Sequence, residues 1–161
     1  MKIANSVVLN KLLSPAVINL SLKSADRDSV LGELVEQIPQ LATQPKARQT
    51  LLRALHEREQ LHSTGIGDGI AVPHSRNALV GLVDQPTLVF GRHAKGIPYG
   101  AIDNAPARLF FLLVAPTVTQ SLAHAAGVIT GRVAVGVDAR SPLPIVLDVD
   151  EPLSVGADRI V

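Results

Sequence analysis

Apolar positions along this chain switch between the two-residue period of strands and the 3.6-residue period of helices. Val17-Ile18-Asn19-Leu20-Ser21-Leu22 alternates apolar and polar toward its end, which predicts a short strand. Asp26 or Asp28 then stands where a helix N-cap belongs, and Leu31, Leu34, Val35, Ile38 and Leu41 recur at helical spacing behind it. Pro45 suits the first position of a second helix, whose apolar stripe is Ala47, Leu51, Ala54 and Leu55. Leu51, Leu55 and Arg58 stand at i, i+4 and i+7, so Arg58 leaves the buried edge of that helix rather than its wet face. Its aliphatic stem can pack on the core while the guanidinium looks into a cleft.

Further on, Thr87-Leu88-Val89-Phe90-Gly91 and Arg108-Leu109-Phe110-Phe111-Leu112-Leu113-Val114 read as strands, and the second is apolar enough to be central. Gly96-Ile97-Pro98-Tyr99-Gly100 reads as a connector that can carry an edge strand. Beyond Gly127 the pattern favours strand and loop, with β segments at Val133–Val137 and Ile145–Val149 around Arg140-Ser141-Pro142-Leu143-Pro144.

Composition narrows what such a chain can do. The 161 residues, 47% hydrophobic, suit one domain spanning 1–161. A formal charge of +1, from 15 basic and 14 acidic residues spread along the chain, lacks the basic stripe of a phosphate-backbone binder, so no nucleic-acid partner is expected. Without cysteine there is neither a disulfide framework nor thiolate chemistry. No apolar run approaches the roughly 18 residues that span a bilayer, and no signal-peptide pattern opens the chain, so a cytoplasmic protein without membrane insertion is expected. Aromatic residues are only 2%, which leaves Phe90, Tyr99, Phe110 and Phe111 as the sole material for a stacking platform.

The candidate chemistry lies in Gly65-Ile66-Gly67-Asp68-Gly69-Ile70-Ala71-Val72-Pro73-His74-Ser75, with Arg58 sixteen positions before the histidine. An unperturbed imidazole, with a pKa of about 6.5, is largely neutral near pH 7 and attacks phosphorus without a separate base. Phosphoryl transfer then asks chiefly for alignment and for charge stabilisation on the equatorial oxygens. Backbone amides of a glycine-rich turn supply fixed donors, and Arg58 supplies a permanently charged planar fork. Pro73 fixes its own φ and biases Val72 away from helix, which restricts how His74 is presented. On spacing alone, a lone histidine after a glycine-rich turn is more often a surface or hydrogen-bonded loop residue than a functional one. His56 and His62 lie six residues apart, and no cysteine or carboxylate cluster completes a metal shell around them, so no metal is expected.

Several elements in order carry a resemblance: Glu57-Arg58-Glu59, Ser63-Thr64-Gly65-Ile66-Gly67-Asp68-Gly69 and Ile70-Ala71-Val72-Pro73-His74. Together they resemble the active-site signature of the fructose/mannitol-type IIA domains of the bacterial phosphotransferase system, including the nitrogen-related regulatory IIA proteins. The likeness runs over about residues 3–120 and includes Leu12-Leu13-Ser14-Pro15, Ile102-Asp103-Asn104-Ala105-Pro106 and Phe110-Phe111-Leu112-Leu113-Val114-Ala115-Pro116. It implies an α+β fold, a three-layer α/β/α sandwich around a small mixed sheet. It also implies that His74 accepts a phosphoryl group from the phosphocarrier protein HPr or a paralogue. Transport members pass that group to a IIB domain, and regulatory members use it to change which target protein is bound. By the same likeness Arg58 contacts the phosphoryl oxygens, while Thr64, Gly65, Gly67, Gly69 and Pro73 form the scaffold. No metal or organic cofactor is implied. The alternative is a binding module that keeps the IIA fold without being phosphorylated.

One departure stands out. The family carries a second histidine, followed by leucine, at the start of a helix after the last core strand; here Gln120-Ser121-Leu122 occupies that place and His124 falls three residues late. Residues 127–161 also lack the amphipathic helix pattern expected there. A frame change near Ser121 would account for both, because a TCA serine codon followed by CTN contains the histidine codon CAC one base later. Resequencing the gene across codon 121 tests this hypothesis: a one-base discrepancy is expected, and an unaltered frame means the divergent tail is natural.

Overall fold

The computed structural model describes residues 12–76 and 79–116. The strand segments expected after Gly127, and the departures at Ser121 and His124, lie outside them. Five strands form one mixed sheet: β1 (Ile18–Asn19), β2 (Gly65–Gly67), β3 (Ile70–Ala71), β4 (Thr87–Ile97) and β5 (Ala107–Val114), in spatial order β1-β4-β5-β3-β2. β4 and β5 are antiparallel with Phe90 opposite Phe111, whereas β1 runs parallel to β4 and β3 parallel to β5. β2 closes the far edge as the antiparallel partner of β3.

Two helices, α1 (Arg27–Glu36) and α2 (Pro45–Leu61), pack against the sheet's first face. Asp26 caps α1 by accepting the amide of Ser29 at 2.8 Å, and the Ser29 hydroxyl answers the Asp26 amide, which completes a capping box. These bonds hold the Asp26 carboxyl below its ordinary pKa. Val30, Leu31, Leu34 and Val35 are buried as the periodicity requires. The helix stops at Glu36, and Ile38 and Leu41 reach the core from a short 3-10 turn at Pro39–Leu41 instead, because proline cannot continue the hydrogen-bond ladder. Pro45 starts α2, as expected, and Leu51 and Leu55 are buried along it.

The first predicted strand is shorter than its apolar alternation suggested. Pro15–Val17 form a 3-10 turn, only Ile18 and Asn19 pair with β4, and Leu20 is exposed. Beyond them the Leu22 amide still reaches β4, donating to the Arg92 carbonyl at 2.9 Å, and Glu33 of α1 then holds the chain by accepting the amides of Lys23 and Ser24 at 3.0 Å and the Ser24 hydroxyl. Partial burial works against the Glu33 charge, but those hydrogen bonds prevail and hold its pKa below the usual value.

β5 is the spine. Phe110, Leu112 and Val114 join the cluster under the helices, while Leu109, Phe111 and Leu113 join a second cluster with Ile70, Val72, Leu88 and Phe90 on the other face. A strand buried on both faces must be continuously apolar, which is how β5 reads in sequence. The mixed sheet under a helical layer is that of the α+β sandwich expected; the expected third layer falls outside the described residues. All four aromatic side chains are core material rather than a stacking platform: Phe90 meets Phe111 with ring centroids 5.0 Å apart, and Tyr99 meets Phe110 edge-on at 5.5 Å. The expected edge strand at 96–100 is instead the far end of β4, which reaches Ile97 after a register irregularity following Arg92.

Gly91 marks where sheet and helix approach closest. A Cβ there would lie 2.7 Å from Leu22 Cδ1 and 2.8 Å from Leu34 Cδ2, both in a fully packed core. Gly91→Ala is therefore expected to destabilise the domain by about 1–3 kcal/mol, the usual cost of overpacking. Chemical denaturation checks this, and an unchanged midpoint would show that the two leucines give way freely.

Candidate functional site

The site is assembled where α2 ends and the glycine-rich segment begins. In the last turn of α2, Arg58 donates from Nη1 to the carbonyl of His62 at 2.6 Å. This answers a helix-end carbonyl with a cation, favourable for both charge and hydrogen bonding. The side chain is half-buried, as its place on the apolar stripe predicts. The next residue, Glu59, is buried at 4% exposure. Its carboxylate accepts the Thr64 amide at 3.0 Å, the Tyr99 hydroxyl at 3.0 Å and the Thr64 hydroxyl.

Burial, and then the Glu59 charge, raise the Tyr99 pKa far above the ordinary phenol range, so this hydroxyl stays protonated and remains a donor. The cluster ties together the end of a helix, the start of β2 and the connector between β4 and β5. Sequence reasoning passed over Glu59, yet Leu51, Leu55 and Glu59 stand at i, i+4 and i+8. A carboxylate on the buried stripe of a helix needs partners, and that was the available signal.

From Thr64 the chain enters a tight hairpin. Asp68 and Gly69, with φ of 51° and 77°, form its two-residue loop, and two successive positive φ values match the twist of the flanking strands. Asp-Gly is the sequence signal for this turn, so the glycine-rich turn is the loop of a β-hairpin. Glycine is required at 65 because a Cβ would lie 3.0 Å from Ala101 Cα. Two amides of the segment are engaged internally: Gly65 donates to Ser63 Oγ at 3.0 Å and Asp68 to Asp103 Oδ2 at 2.9 Å. Ser63 Oγ in turn donates to the Tyr99 carbonyl at 2.8 Å. Asp103 also accepts the Ala105 amide at 3.0 Å, so the turn chemistry expected at Asp103-Asn104 pins the hairpin as well.

β3 then delivers the histidine. Val72 donates to the Thr64 carbonyl at 3.0 Å on one side, and the buried Pro73 accepts the Leu113 amide at 2.9 Å on the other. His74 extends the parallel pairing through a bridge to Leu113 of β5. Its half-buried ring places Nδ1 2.8 Å from the Val72 carbonyl. A carbonyl can only accept, so Nδ1 carries the proton of the neutral ring and Nε2 carries the lone pair.

Thr64, Gly65, Gly67, Gly69 and Pro73 thus all lie in the hairpin or the short extension leading to His74. Arg58 lies at the entry to the same segment, its fork on the His62 carbonyl. Among the described residues no group of three His, Cys, Asp or Glu side chains gathers to hold a metal ion. None of the described helices is long and apolar enough to cross a membrane.

The family model described as "Phosphoenolpyruvate-dependent sugar phosphotransferase system, EIIA 2" matches residues 11–129. The chain belongs to this EIIA family. It is 36% identical over 107 residues to the PTS system fructose-specific EIIABC component of Bacillus subtilis; that match covers 66% of this chain and 16% of the Bacillus protein. Among solved EIIA structures, the nitrogen regulatory protein IIA-Ntr of Neisseria meningitidis superposes with a TM-score of 0.65 at 24% identity, over 81% of this chain and 84% of that one. The Escherichia coli mannitol enzyme IIA, solved in complex with phosphorylated mannitol enzyme IIB, gives 0.60 at 23% identity, over 79% and 83% of the two chains. At these identities the two structures establish the shared fold of this EIIA chain.

Proposed function

We propose that this chain is a phosphohistidine carrier in which Nε2 of His74 accepts a phosphoryl group from HPr or an HPr-like protein and hands it on. The observation that carries the reading is the hydrogen bond from Nδ1 to the Val72 carbonyl, which commits the ring's proton and leaves Nε2 as the nucleophile. Membership of the EIIA family supports the same reaction class. As the Nε2–P bond forms, the bond from phosphorus to the donor nitrogen breaks and its electron pair returns to the donor ring. His74 keeps its Nδ1 proton throughout. The ring gains positive character as Nε2 gives up its lone pair, so the hydrogen bond to Val72 strengthens in the transition state, where strengthening accelerates the step.

Arg58 supplies the counter-charge. Its half-buried side chain exchanges the His62 carbonyl for phosphoryl oxygens, which a planar guanidinium grips with charge-assisted bonds. The hairpin is scaffold: with the amides of Gly65 and Asp68 already bonded, its task is to hold Val72, Pro73 and His74 in place. The acceptor of the phosphoryl group is a IIB domain or, in a regulatory setting, the phosphate changes which target protein is bound. The complex of the mannitol IIA and phosphorylated IIB proteins supports the first, and the likeness to IIA-Ntr supports keeping the second.

Incubation with phosphoenolpyruvate, enzyme I and HPr tests the reading. An acid-labile, base-stable phosphate is expected on the wild-type protein and none on His74→Ala; absence of label on well-folded wild type would establish instead a binding module that keeps the fold. Arg58→Ala is expected to slow phosphoryl arrival by about 100-fold or more. Its melting temperature should fall only slightly, because the bond lost to the His62 carbonyl lies at a half-exposed helix end. Wild-type transfer kinetics in that variant would remove Arg58 from the mechanism.

A further inference from the structure

Glu59 poses a question that the chemistry of His74 and Arg58 does not answer. A carboxylate at 4% exposure is costly to bury, and an apolar side chain on the same helical stripe would pack without that cost. It is satisfied by three donors, the Thr64 amide, the Thr64 hydroxyl and the Tyr99 hydroxyl. All are neutral, and two come from the residue that opens the hairpin.

From that residue a short ladder runs to the nucleophile. The carbonyl of Thr64 accepts the amide of Val72 at 3.0 Å, and the carbonyl of Val72 holds Nδ1 of His74 at 2.8 Å. The opposite side of this extension is fixed by the Leu113 amide on the Pro73 carbonyl. The Val72 carbonyl therefore sits between two anchors, the sheet spine and the Glu59 cluster. A displacement of Thr64 moves Val72, weakens the bond to Nδ1, and lets the proton pass to Nε2, which blocks attack on phosphorus.

We propose that Glu59, with Tyr99, is a positioning residue for phosphoryl transfer: through Thr64 and Val72 it holds the carbonyl that keeps His74 in its Nδ1–H tautomer. The inference rests on the phosphocarrier reading for its catalytic consequence, but its structural half can be read in the unphosphorylated protein. What matters is the arrangement of acceptors and donors rather than the charge. A glutamine can accept the Thr64 amide through its oxygen and donate to both hydroxyl oxygens through its nitrogen, whereas a leucine leaves the Thr64 amide without an acceptor.

Long-range proton–nitrogen NMR of the His74 ring in Glu59→Leu, Glu59→Gln and Tyr99→Phe, paired with rates of transfer from phosphorylated HPr, tests this. The wild type should show a single Nδ1–H tautomer, and Glu59→Leu a mixture. In Glu59→Leu kcat should fall by about 10- to 100-fold, the usual effect of losing an orienting partner, with little change in KM. Glu59→Gln should recover the tautomer and most of the rate, and Tyr99→Phe should shift both in the direction of the leucine variant by less. A folded Glu59→Leu protein with the wild-type tautomer and rate overturns the proposal, as does a glutamine variant as impaired as the leucine one. Should the leucine variant not fold, Tyr99→Phe decides by the same two readouts: movement supports the proposal and none overturns it. Failure of the wild type to accept phosphate overturns the phosphocarrier reading and the catalytic half with it. A wild type that is labelled, beside an unmoved tautomer in the folded variants, overturns the anchor alone.

Discussion

A neutral imidazole has one proton and one lone pair on its two ring nitrogens, and whichever nitrogen is held as a donor leaves the other as the nucleophile. In this protein the Val72 carbonyl holds Nδ1 of His74 at 2.8 Å. That oxygen is bracketed by backbone hydrogen bonds on both sides, from Val72 to the Thr64 carbonyl and from Leu113 to the Pro73 carbonyl. Pro73 contributes twice: its ring restricts the backbone between Val72 and His74, and its carbonyl locks onto the Leu113 amide.

Behind this contact stand two rigid bodies. One is β5, apolar on both faces and paired on both edges, along which β3 and its extension lie in parallel register from Ile70 to His74. The other is the junction of α2 with β2, where Glu59, Thr64, Ser63 and Tyr99 are joined by hydrogen bonds in a largely buried setting. The hairpin spans the two, and its Asp68-Gly69 loop is held down by Asp103 from the β4–β5 connector. A histidine carried on such supports has little conformational freedom to lose, the form of pre-organisation that the proposed phosphoryl transfer would reward.

How much of this could be read from sequence depended on whether the signal was local. Pro45 as a helix start and the unbroken apolar run of β5 are set by neighbouring residues and were legible, as was the cap of α1 to within the choice of Asp26 or Asp28. The short reach of β1 was not, because it depends on partners distant in sequence, the Arg92 carbonyl for Leu22 and the Glu33 carboxylate for Lys23. The Asp68-Gly69 hairpin carried a local signal that glycine richness obscured. At the site, His74 and Arg58 stood out by residue type, and the structure places both at the two ends of one segment. Glu59 and Tyr99 did not stand out, since their meaning lies in a contact forty residues apart in sequence that only the folded chain makes. The Val72 carbonyl belongs to no side chain, so no residue-type reading could have found it.

Membership of the EIIA family supports the proposed reaction class, and the contact between Nδ1 and the Val72 carbonyl is what points the proposal to Nε2. That choice is open to direct observation. Phosphorus–nitrogen NMR on the enzymatically phosphorylated, ring-labelled protein reads which atom bears the phosphate. A one-bond coupling from phosphorus to Nε2 of His74, with Nδ1 still protonated, is the predicted result; phosphorus on Nδ1, or on any residue other than His74, would contradict the account.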